Sequence, residues 1–76
     1  MHTNNVEAET FIAFKAMRYA RRELRRAIRY AEANPTEEAR LKRTDALVAL
    51  NRAKRRYEEL AIMRDVVWQQ NIKRHE

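Results

Sequence analysis

The sequence predicts an all-α fold: an antiparallel two-helix hairpin with an alanine-rich seam, dimerising into a four-helix bundle. Three observations lead there. Alanine recurs every seven residues on both sides of the only proline, at Ala13, Ala20 and Ala27 and again at Ala39, Ala46 and Ala53. A seven-residue repeat is the mark of a helix seam, and small residues let two helices approach closely. Asn34-Pro35 is the only helix-breaking step in a chain that has no glycine. No stretch alternates apolar and polar residues with the period of two that a half-buried strand needs.

Each element follows in order along a single domain, residues 1–76. Helix 1 is expected over about residues 5–33 (roughly 43 Å), opened by a capping box of Asn4 with Glu7 three residues later. The residue before a proline is pushed out of the helical region, so this helix ends at the turn, residues 34–35. Helix 2 is expected over about residues 36–74 (roughly 58 Å). Asn34 is its expected cap, Pro35 its first residue, and Glu37 and Glu38 lie where the helix dipole favours carboxylates.

Folding the chain back at the turn pairs Ala27 with Ala39, Ala20 with Ala46 and Ala13 with Ala53, residue numbers that sum to 66. On a helical wheel Val6, Thr10, Ala13, Met17, Ala20, Leu24, Ala27, Ile28 and Ala31 share one face of helix 1. Ala39, Ala46, Leu50, Ala53, Tyr57, Leu60 and either Val67 or Trp68 form the counterpart. Arg21 is expected to pair with Asp45 across the hairpin. With Val6 facing Leu60, helix 2 from about Arg64 projects past helix 1 and leaves Val66, Val67, Trp68 and Ile72 in need of cover.

A second apolar edge is read from Ile12, Ala16, Tyr19 and Tyr30 with Leu41, Val48, Ile62 and Val66. One hairpin has one seam and cannot bury both edges. A chain this short also struggles to build a self-sufficient core. The expected cover is a second copy, giving a homodimer interface of Ile12, Tyr19, Tyr30, Leu41, Val48, Ile62 and Val66.

Composition excludes most chemistry. With no Cys, Ser or Gly there is no disulfide framework, thiolate metal site, usual nucleophile or glycine-rich phosphate loop. His2 and His75 are terminal and unpaired, and the adjacent pairs Glu37-Glu38 and Glu58-Glu59 point to different sides. No Glu-x-x-His motif for a di-metal bundle occurs. The reading is a non-enzymatic protein with no cofactor, no metal and no small-molecule substrate. No apolar run approaches the roughly 20 residues of a membrane span, and the polar start lacks a signal-peptide core, so a soluble cytoplasmic protein is expected.

The net charge is +6, and 13 of the 17 basic residues are Arg. Arg and Ala richness also follows from a GC-rich genome, and a designed bundle would favour Glu and Lys. The charge is nevertheless segregated. Lys15, Arg18, Arg22, Arg25, Arg26 and Arg29 fall opposite the alanine seam along about 21 Å of helix 1. Helix 2 instead interleaves acids with its bases. Such a stripe fits an acidic partner. It specifies phosphate contact without sequence, and Phe11, Tyr19 and Tyr30 around it make no stacking platform.

The expected function is that of a small accessory or regulatory protein that binds and modulates a protein partner. The stripe supplies charge, and Tyr19 and Trp68 supply apolar anchors. Trp68 is alternatively expected to pack on Val6 and Phe11 at the open end. Size and composition fit the inhibitors and regulators that phages and plasmids encode against host proteins. The other reading is binding of an RNA or DNA backbone by the same arginines. The arrangement resembles small helical-hairpin dimers; the resemblance covers the hairpin and its alanine-bearing seam and carries no functional residue.

Overall fold

The computed structural model describes residues 2–75, with side chains for residues 5–72. Two α-helices, α1 (His2–Ala33) and α2 (Glu37–His75), pack against each other along their length. Among the described residues there is no strand. The hairpin measures 60 × 14 × 13 Å, with a radius of gyration of 17.5 Å. A compact chain of this length would have a radius of about 11 Å. The molecule is therefore a rod, with most side chains facing water.

The turn is one residue longer than the sequence suggests, and its two polar residues exchange roles. Asn34 closes α1 and does not cap α2: its backbone N–H donates to the Tyr30 carbonyl at 2.8 Å and its side-chain Nδ2 to the same oxygen at 3.1 Å. Thr36 caps α2. Its Oγ1 accepts from the Ala39 N–H at 3.2 Å, and its carbonyl accepts the first helical bond, from Arg40, at 3.1 Å. A side-chain oxygen satisfies an otherwise orphaned N–H best from the residue immediately outside the helix, and that residue is Thr36.

Pro35 sits between them, spanned by a Thr36 N–H to Asn34 carbonyl bond of 2.7 Å. That i to i+2 bond suits the negative φ that proline imposes. No described residue has positive φ, which is why the turn closes without glycine. The capping box at Asn4 falls partly outside the described side chains, and the backbone is already helical from His2.

The register is set by contacts across the seam. Phe14 and Tyr57 pack with ring centroids 5.7 Å apart, and Lys42 Nζ lies 5.2 Å from the Tyr30 ring centre. These residue numbers sum to 71 and 72. Glu9 with Arg56, at 3.8 Å, sums to 65, an offset that two long side chains can span.

The expected sum of 66 is corrected for a geometric reason. A fold centred on Pro35 brings backbone positions summing to 70 level with each other. Helical side chains lean toward the N-terminus, so each covers the surface about one position before its own Cα. Both helices lean, which raises the sum for touching side chains to about 72. The alanines then meet as Ala27 with Ala46 and Ala20 with Ala53, and Ala13 comes level with Leu60 rather than Ala53.

Two further expectations change with the register. Arg21 comes level with residue 52, about 10 Å from Asp45, and the two form no ion pair. Val6 comes level with Val67, so α1 covers α2 as far as about residue 71. The overhang from Arg64 is largely removed.

The seam face is as expected. Ala13, Ala20, Ala39, Leu50 and Leu60 are its buried apolar residues, and Val6, Met17, Leu24, Ala27, Ile28, Ala31, Ala46, Ala53, Tyr57 and Val67 are half-buried. Val67 takes the seam position and Trp68 does not. Thr10 is 3% exposed, and its Oγ1 donates to the Val6 carbonyl at 2.6 Å. No polar side-chain atom among the described residues is buried without a partner.

This core is thin. Three of its five buried apolar residues are alanines, which leaves Leu50 and Leu60 as its large members. Each contributes about 1.5–3 kcal/mol on full burial.

Candidate functional site

Assigning heptad letters from the buried residues sorts the surface into four sides. Thr10, Met17, Leu24 and Ala31 take a on α1, and Val6, Ala13, Ala20 and Ala27 take d. On α2, Leu50 and Tyr57 take a, and Ala39, Ala46, Ala53, Leu60 and Val67 take d. In an antiparallel pair the g positions of both helices flank the seam on one side and the e positions on the other.

Observed contacts obey this. Glu9 with Arg56, and Tyr30 with Lys42, are g with g, while Phe14 at e packs on Tyr57 at a.

The basic stripe occupies the outer face of α1. Lys15, Arg22 and Arg29 stand opposite the seam, Arg18 and Arg25 are rotated toward the e side, and Arg26 toward the g side. All six are exposed. One has a carboxylate partner: Arg26 Nη1 lies 3.3 Å from Glu23 Oε1. Two lie against aromatic rings. Lys15 Nζ is 4.7 Å from the Phe11 ring centre, and Arg18 Cζ is 5.9 Å from that of Phe14. These cation–π contacts fix two cations of the stripe, each by about 0.5–1 kcal/mol at an exposed site. Lys15, Arg18, Tyr19 and Arg22 line a shallow groove, so Tyr19 stands within the charged face.

On α2 the charges are interleaved. Glu37 with Arg40 at 3.8 Å and Glu38 with Lys42 at 3.7 Å pair within the first turns. These exposed pairs contribute little to stability. The segregation on α1 is thus a property of that helix and not of the whole surface.

Trp68 is 62% exposed and does not pack on Phe11, which is itself exposed. It stands at an e position, beside the seam and not in it. With Val6, Glu7, Arg64, Asp65 and Val67 it lines a groove of about 310 Å³ at the open end.

The seven expected dimer residues, Ile12, Tyr19, Tyr30, Leu41, Val48, Ile62 and Val66, are all exposed. They do not share one face. Ile12, Tyr19, Tyr30 and Val66 lie on the g side, whereas Leu41, Val48 and Ile62 are at f, on the back of α2, about 130° around the rod from Ile12 and Tyr19.

The sequence reasoning missed the e side. Phe14 and Leu47 are large and at least a third exposed there, on the same side of the rod as Trp68. The signal was present as a heptad at 7, 14, 21 and 28 and another at 40, 47, 54, 61 and 68. It becomes legible only once the seam letters are assigned.

Among the described residues no cluster of three His, Cys, Asp or Glu is placed to hold a metal ion, and no helix is long and apolar enough to cross a membrane. Comparisons with protein-family models, curated proteins and solved structures yield no match.

Proposed function

We propose that this chain is a non-enzymatic binding protein. It works as a homodimeric four-helix bundle and docks its basic α1 face onto an acidic, partly apolar surface of a protein partner. The observation that carries the reading is the stripe itself. Six exposed cations share the outer face of α1, and a single carboxylate engages them. Mutual repulsion along a helix costs free energy that partner carboxylates would offset.

Self-association is supported by surface area. The chain exposes 6546 Å². A compact monomer of 9.2 kDa exposes about 4,900 Å². The excess of about 1,600 Å² exceeds the ~800 Å² that each partner buries in a standard interface.

A protein partner is favoured over nucleic acid by the aromatic neighbours. Phe11 and Phe14 each have a ring engaged by a cation of the stripe, so they offer bases poor stacking platforms. They do suit an interface, where aromatic and Arg anchors dominate. The phosphate-backbone reading draws on the same arginines and is separated by salt. Titration of a random-sequence duplex at about 50 and 200 mM salt should show weak binding and a shallow slope. A steep loss of affinity with salt would transfer the function to nucleic acid.

The direct test changes Arg18, Arg22 and Arg29 together to Gln. The helix should persist, since Gln keeps good helix propensity and like-charge repulsion is relieved. Partner capture should fail, because three charge-assisted contacts of about 1.5–3 kcal/mol each are lost. Undiminished capture would refute the role of the stripe.

A further inference from the structure

We infer that the second copy docks on the e side of the hairpin, antiparallel to the first, about a two-fold axis that passes beside Phe14, so that Arg21 meets Glu7 and Lys54 meets Asp65 of the other copy. This rests on the proposed homodimer and names the face that forms it.

The argument starts from charge. On the g side Glu9 and Glu23 pair with Arg56 and Arg26, at 3.8 and 3.3 Å, and Asp45 and Glu59 stay unpaired. On the e side Glu7, Arg21, Lys54 and Asp65 take part in no ion pair. Arg21 comes level with residue 52, so it and Lys54 lie within about a helical turn of each other on the same side of the seam, and neither has a carboxylate within 4 Å. Two unpaired cations on one side of the seam are unfavourable alone and favourable opposite two anions.

The chain carries those anions at the matching distance. Glu7 and Arg21 each lie seven residues from Phe14. Lys54 and Asp65 are equally far from a point between Glu59 and Leu60, and Phe14 comes level with residue 59. A single axis therefore satisfies both pairs. A two-fold makes each pair twice, so all four charges of each copy are used.

The apolar residues obey the same axis. Phe14 meets its own copy, and Leu47 and Ile72 are also symmetric about the point between Glu59 and Leu60. All three are exposed in the single chain. The groove beside Trp68 is closed by the neighbouring copy, and the indole comes over residue 51, next to the Lys54 cation.

The two α2 helices then overlap for about 31 residues, or roughly 47 Å, and only the turn ends project. The axis also sets the two α1 helices beside each other. Lys15, Arg22 and Arg29 of both copies face the same flank of the bundle, and Arg18 and Arg25 border the contact, so one flank carries the cations of two stripes toward an acidic partner.

Charge reversal in two complementary variants tests the assignment by sedimentation at micromolar concentration. Glu7→Lys with Asp65→Lys should be monomeric alone, as should Arg21→Glu with Lys54→Glu, and their equimolar mixture should restore a species of twice the chain mass. If wild type is monomeric, the dimer itself is refuted. If wild type and both variants are dimeric, the dimer stands and its face is not this one.

A second experiment does not depend on those variants folding. The chain has no cysteine. Phe14→Cys, next to the axis, should give a disulfide-linked dimer under mild oxidation, at least tenfold faster than Ile12→Cys on the g side. The reverse order would overturn the proposal.

Discussion

Replacing Ala20 by leucine places three more carbons in a layer where the helices are closest. Ala20 is 9% exposed, so the added groups have no outlet to solvent. Overpacking of this kind costs about 1–3 kcal/mol. A chain of this size loses roughly 4–8 °C per kcal/mol, so 2 kcal/mol lowers the midpoint by about 8–16 °C. The register says which residue relieves the strain. Ala53 shares the layer, whereas Ala46 lies about 10 Å along the rod.

Ala53→Gly alone costs about 1 kcal/mol in helix propensity. In the Ala20→Leu background it makes room, and the double variant should be more stable than the sum of the two by about 0.5–3 kcal/mol. Ala46→Gly with Ala20→Leu should be additive within about 0.5 kcal/mol. Thermal melts followed by circular dichroism at one fixed protein concentration provide the four corners of each cycle. Coupling to Ala46 and not to Ala53 would refute the leaning-side-chain argument and restore the sum of 66.

Leu60→Ala should cost about 2–5 kcal/mol, because Leu60 is 1% exposed and is the largest fully buried side chain; denaturant titration reads the loss. Thr36→Ala should cost about 0.5–2 kcal/mol as a lost helix cap, and Asn34→Ala less, since the Asn34 backbone bond to Tyr30 survives; equal losses in thermal melts would contradict the roles assigned to the two residues. The emission of Trp68, 62% exposed in the single chain, should shift to longer wavelength on dilution as copies separate. Over the same hundredfold dilution the melting temperature should fall; a constant temperature would exclude a folded dimer.

The sequence by itself determined the elements and the seam. One proline, no glycine and a seven-residue alanine repeat leave little choice but two helices folded at residue 35. Every residue expected on the α1 seam is buried or half-buried. The basic stripe was legible for the same reason, because side-chain direction on a single helix depends on periodicity alone.

Relations between the helices needed the tertiary structure. The turn length depended on whether Asn34 or Thr36 capped α2, a choice made by hydrogen bonds within the turn. The register depended on the lean of side chains from both helices, which a helical wheel does not contain. The e side followed from the register. Phe14, Leu47 and Trp68 are far apart in sequence, and Arg21 shares a side with Lys54 only after the chain has folded back. A single helix fixes the direction in which a residue points, but its level against the partner helix is fixed by packing.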